Sequence, residues 1–180
     1  MSDYDVVLLV EQELSAQDAV QVRGLHEDIE GPVRYHVLVP VTESAALIES
    51  GLGTLGVGDT LGASTLAMDP ETIQSLQKDL LDEGRTCVKC SVDRIIEAGG
   101  LAEGDLVTTD PIAALAEKVD AVDAREAIIL TRPHVVAEFF HVDWTSRARR
   151  KLGVPVLHLL EHETFDEQAE RYGEEGITGL

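Results

Sequence analysis

Cysteine, aromatic residues, basic charge and long apolar runs are all scarce in this sequence, and each scarcity removes a class of protein. The two cysteines, Cys87 and Cys90, are too few for a disulfide-built scaffold. Together with the charged start Met1-Ser2-Asp3-Tyr4-Asp5, they lead us to expect a reducing, cytoplasmic setting. Aromatics amount to 4% of the chain, so any core must be built from Val, Leu, Ile and Ala. Lys and Arg number 14 against 34 Asp and Glu, a formal net charge of -20. Such a surface repels nucleic-acid phosphates and anionic membranes at long range, so neither is expected as a partner. Apolar runs such as Val6–Val10 fall far short of a membrane span.

What is present is a regular alternation. The 180 residues fit a single domain with one sizeable core. Asp5–Val10 is a short Val-rich run that predicts a buried strand. Ser15 with Asp18 three residues later predicts a capped helix to about Asp28, and Gly31-Pro32 breaks it before a second strand, Tyr35–Val41. Residues 42–68 hold Gly51, Gly53, Gly56, Gly58 and Gly62 and read as an irregular, glycine-rich loop. Asp69-Pro70-Glu71 then opens a long helix to about Ala98, with a bend expected at Gly84 and a stop at Gly99-Gly100. A third strand at Gly104–Thr108, a helix from Asp110-Pro111, a fourth strand at Ala127–Thr131 and a fifth at Val154–Leu160 complete the pattern. Between the last two strands, Arg132–Leu152 ends in a helix capped by Asp143 or Thr145. Strand–helix–strand repetition of this kind demands a parallel sheet with crossover helices. Residues 1–162 therefore form one α/β domain, and 163–180 an acidic tail.

Several segments carry a resemblance. Asp110-Pro111-Ile112, the acidic residue and apolar strand of Asp123–Thr131, and the closing Gly153-Val154-Pro155-Val156-Leu157 resemble the universal stress protein family, best from Leu106 to Leu160. The resemblance implies a doubly wound five-stranded parallel sheet of order 3-2-1-4-5 with helices on both faces, a fold shared with adenine nucleotide alpha hydrolases. It further implies a stress-response binding or regulatory domain and a homodimer paired through the last strand, Val156–Leu160. ATP-binding members carry Gly-x-x-Gly, nine residues and Gly-Ser or Gly-Thr after the fourth strand, where backbone amides approach phosphates closely. Here Thr131–Ser146 contains no glycine, and Glu11-Gln12 replaces the family aspartate after the first strand. The expectation is a domain that does not bind ATP in that geometry and needs no cofactor.

In a doubly wound sheet the ligand crevice opens beyond the carboxyl ends of the strands, where strand order reverses, here between strands one and four. That rule nominates Glu11, Gln12, Thr131, Arg132 and His134, joined by Thr145, Ser146 and Arg147 at the start of the next helix. The helix amides, hydroxyls and guanidinium groups suit a small anionic ligand. An enzyme acting on a phosphorylated or carboxylated metabolite, with Arg132 holding the anion and His134 as acid or base, is the rival reading. A structural interaction protein whose crevice is filled by Phe139, Phe140 and Trp144 is a third. Other motifs carry less. Gly51-x-Gly53-x-x-Gly56 lacks the strand and helix a dinucleotide fingerprint requires. Cys87-x-x-Cys90 lies inside a helix with no second cysteine pair to complete a zinc site, so no metal is expected. His158-x-x-x-His162 reads as structural.

Overall fold

The computed structural model describes residues 4–41, 70–131 and 148–160. Five strands, β1 (Tyr4–Val10), β2 (Val33–Pro40), β3 (Leu101–Val107), β4 (Glu126–Thr131) and β5 (Val156–Leu160), form one sheet of order β3-β2-β1-β4-β5. Every neighbouring pair is parallel, so the order reverses between β1 and β4, as the sequence leads one to expect. Three helices are described: α1 (Ala16–Gly24), α2 (Pro70–Glu97) and α3 (Pro111–Val122). Residues 148–151 are also helical. The glycine-rich stretch 42–68, the cap sought at Asp143 or Thr145, and the tail 163–180 fall outside the described residues.

Period-2 alternation within the strands divides the core in two. Val6, Leu8, Val10, Tyr35, Val37, Ile128 and Leu130 face α1 and α2, whose Ala19, Val22 and Ile95 are buried against them. Val7, Leu9, Leu38, Ala127 and Ile129 face α3, through Ile112, Leu115 and Val119, and the later Ala148 and Leu152. Strands apolar on both faces are what helices on both sides of a parallel sheet require.

Local chemistry sets the helix ends. Ser15 Oγ accepts from Asp18 N–H at 3.1 Å, and Asp18 Oδ2 accepts in return from Ser15 N–H at 3.3 Å, a full capping box. This helix closes earlier than the expected Asp28. The backbone tightens to i→i−3 bonds, His26 N–H to Arg23 O and Glu27 N–H to Gly24 O, and the His26 ring lies 3.0 Å from the Val22 carbonyl. At the start of α3, Asp110 Oδ1 accepts from Ala113 N–H at 2.8 Å with Pro at the first turn. Asp123, at φ 51°, closes the helix in the left-handed region. β3 begins three residues before the expected Gly104, directly after the α2 stop at Gly99, whose φ is +88°.

Helix α2 runs unbroken through Gly84, and that glycine serves contact. A Cβ built there would stand 2.6 Å from Leu106 Cδ1. One at Gly104 would stand 2.8 Å from both Val88 Cγ1 and Val92 Cγ2. The two glycines let α2 lie close upon β3. With Gly84 level with Leu106 near the end of β3, the 14 residues Pro70–Glu83, roughly 21 Å of helix at 1.5 Å per residue, rise past the carboxyl edge of the sheet. Among the described residues no helix is long and apolar enough to cross a membrane.

Candidate functional site

Three strand ends meet at that edge. After β1 the chain continues the ladder for one residue, Glu11 N–H donating to Leu130 O of β4 at 3.2 Å. It then turns through Gln12 and Glu13 to Leu14, whose N–H donates to the buried Ser91 Oγ of α2 at 3.0 Å. After β2, Val41 N–H donates to Val107 O of β3 at 2.8 Å, fixing the backbone on the other side.

Between these ends and α2 lies an open cleft of about 600 Å³, within the usual range for small-molecule sites. Glu11, Gln12 and Glu13 form one wall, and Val39, Pro40 and Val41 the floor. Leu80, Glu83, Gly84, Thr86 and Cys87 of α2 form the opposite wall. Three carboxylates line it, and no Lys, Arg or His is among the described lining residues. The apolar floor suits a flat group; Gln12 and Thr86 supply hydrogen-bonding side chains.

The residues singled out in the sequence are distributed unevenly. Glu11 and Gln12 line the cleft. Thr131 ends β4 fully buried, with its Oγ1 2.8 Å from His158 Nε2, and it is not among the lining residues. Arg132, His134, Thr145, Ser146 and Arg147 lie outside the described residues. The described lining runs from the turn after β1 to the end of β2 and the side of α2. Sequence reasoning missed Val39–Val41 and the α2 wall. One available signal was the pairing of small residues, Gly84 and Cys87, three apart on a helix face turned toward the sheet. Cys87 and Cys90 are partly exposed and form no disulfide, and Cys87 packs against the core beside Val88 and Val92.

Polar groups also cluster toward the opposite edge. Tyr35 OH lies 2.8 Å from His26 Nδ1, and His26 Nε2 contacts the Glu126 carboxylate. Burial pushes the Tyr35 phenol up to about 12, and burial followed by the Glu126 charge raises Tyr4 as well. On the other face His36 spans three strands, with Nε2 2.8 Å from Asp5 Oδ1 and Nδ1 2.8 Å from Glu103 Oε1. Both clusters tie strands together, and neither borders the cleft. Among the described residues no group of three or more His, Cys, Asp or Glu could hold a metal ion.

No family model and no curated protein matches the chain. Solved structures do. The hypothetical protein MJ0577 superposes with a TM-score of 0.61 at 11% identity, over 91% of this chain and 100% of that one. The universal stress protein from Archaeoglobus fulgidus in complex with dAMP gives 0.52 at 16% identity, over 88% and 98%. A universal stress protein family protein from Arabidopsis thaliana with AMP bound gives 0.50 at 13% identity, over 88% and 92%. At such identities the likeness establishes the fold, which is universal stress protein-like.

Proposed function

We propose that this universal stress protein-like domain is a ligand-binding or regulatory module that takes a small anionic ligand of adenine-mononucleotide size at the carboxyl edge of its sheet. The cleft bounded by Glu11, Gln12, Val41 and α2 is the observation that carries the reading. Its apolar floor suits a base, and two of the structural neighbours hold dAMP and AMP. The three carboxylates of the cleft oppose a phosphate, so the anionic end belongs toward the end of β4. From β2 across β1 to β4 is two strand spacings, roughly 10 Å. Arg132, His134, Thr145, Ser146 and Arg147 follow β4 in the sequence and offer the cationic and hydroxyl groups an anion requires.

A triphosphate is disfavoured, because Thr131–Ser146 contains no glycine to let backbone amides crowd around the phosphates. Calorimetry with AMP and ATP tests both halves. AMP should bind saturably, and ATP no tighter than high micromolar. Micromolar or tighter ATP affinity would overturn the second half, and no AMP binding the first.

The same reading includes a homodimer through β5. That strand has only β4 beside it in the described sheet, and its Val156, Leu157 and His158 are half-buried without a charged side chain among them. At the opposite edge β3 carries the exposed Glu103 and Asp105, charges of the kind that discourage strand addition.

A further inference from the structure

The two walls of the cleft belong to segments far apart in sequence, and one buried side chain joins them. Ser91 is fully buried on α2, and its Oγ accepts the Leu14 N–H at 3.0 Å across 77 positions. Leu14 itself is buried in the core beside Val10 and Val22. On the strand side, Glu11 N–H is held by Leu130 O. On the helix side, Ser15 is held by the capping box with Asp18. Between these anchors lie Gln12 and Glu13, which line the cleft. The Ser91 bond is the direct hydrogen bond from this turn to α2 that the geometry shows.

Ser91 also fixes the other wall. Residues four and seven positions earlier on an α-helix share a face, so Ser91, Cys87 and Gly84 form one row, and Cys87 and Gly84 line the cleft. A rotation or slide of α2 that moved these residues would pull Ser91 Oγ off Leu14 N–H. That amide is buried, and leaving it without an acceptor is costly.

We infer that Ser91 is the positioning residue of the cleft: its hydroxyl locks the turn after β1 to α2 and so sets the separation of the two walls. This inference rests on the cleft being the binding site, and its test is chosen to be readable without a ligand. The comparison uses the full chain as wild type, Ser91→Ala and Ser91→Thr, the last retaining the hydroxyl. Hydrogen exchange at Leu14 and the rate of Cys87 labelling by a thiol reagent are read in each. Ser91→Ala should speed Leu14 exchange at least tenfold more than exchange in Ile128 and Ile129 of β4, and should speed Cys87 labelling several-fold. Ser91→Thr should return both toward wild type. AMP affinity, where the wild type binds AMP, should fall several-fold in Ser91→Ala through a raised dissociation rate. Leu14 exchange and Cys87 labelling that change no more than exchange at Ile128 and Ile129 would reduce Ser91 to a general stability residue and overturn the inference. Should the wild type fail to bind AMP, the functional reading falls, while the exchange and labelling results still decide the role of Ser91.

Discussion

Tyr35 shows how individual residues in this chain serve the fold and leave the site to others. Its ring is fully buried on β2, its hydroxyl lies 2.8 Å from His26 Nδ1, and burial raises the phenol from 10.0 to about 12. The folded protein therefore holds this proton where the unfolded chain has lost it. That contribution is intact below about pH 10 and disappears as pH climbs toward 12, amounting to about 2–3 kcal/mol for a shift of this size. Denaturant unfolding followed from pH 9 to 12 should show the decline. Tyr35→Phe should flatten it, at a cost near neutral pH of about 1 kcal/mol for the lost hydrogen bond. An unchanged slope in Tyr35→Phe would mean that another group governs alkaline unfolding. At this scale the sequence was partly legible. Glu11 and Gln12 could be placed at the carboxyl edge because they follow a strand, and strand ends in this topology point to one edge. Ser91 and Cys87 could not, because their roles depend on how closely a helix approaches the sheet, and no local pattern encodes that distance.

The closeness of α2 to β3 is settled by two glycines whose substitutions should behave differently. A Cβ at Gly104 meets Val88, Val92 and the Val37 carbonyl oxygen, the last at 3.3 Å, so neighbours on both sides of the strand resist it. Gly104→Ala should cost about 1–3 kcal/mol, the range of an overpacked core. At Gly84 the obstacle is the far end of one flexible side chain, Leu106, and alanine gains about 1 kcal/mol of helix propensity. Gly84→Ala should therefore be close to neutral. Urea midpoints of the two variants check the contrast, and equal losses would contradict it. Element order, strand pairing and the caps at Ser15 and Asp110 were legible because each rests on local chemistry: apolar period, capping side chains, Pro at a first turn. The contact made at Gly84 was hidden, since a glycine in a helix looks the same from sequence whether it serves a kink or a contact. The early end of α1 was also hidden, because it follows from the tightened turns around the buried His26.

For the whole molecule, the formal charge of -20 opposes every association with another acidic body, including a second copy of the chain. The proposed β5 dimer should therefore strengthen as salt screens the repulsion. Sedimentation at low and high salt would show this, with Leu157→Lys weakening the dimer. Leu159 is unsuitable for the same test, because it is 4% exposed and belongs to the core. A monomeric wild type at both salt concentrations, or an unaffected variant, would mean that β5 is covered in some other way. The central claim concerns the carboxyl edge: ligand enters between the turn after β1 and the side of α2. Amide NMR shifts recorded during titration with AMP test it most directly. The account predicts saturable shifts concentrated at Gln12, Glu13, Val41, Gly84, Thr86 and Cys87. Shifts that leave those residues untouched, or that gather at the opposite edge around His26 and Tyr35, would contradict it.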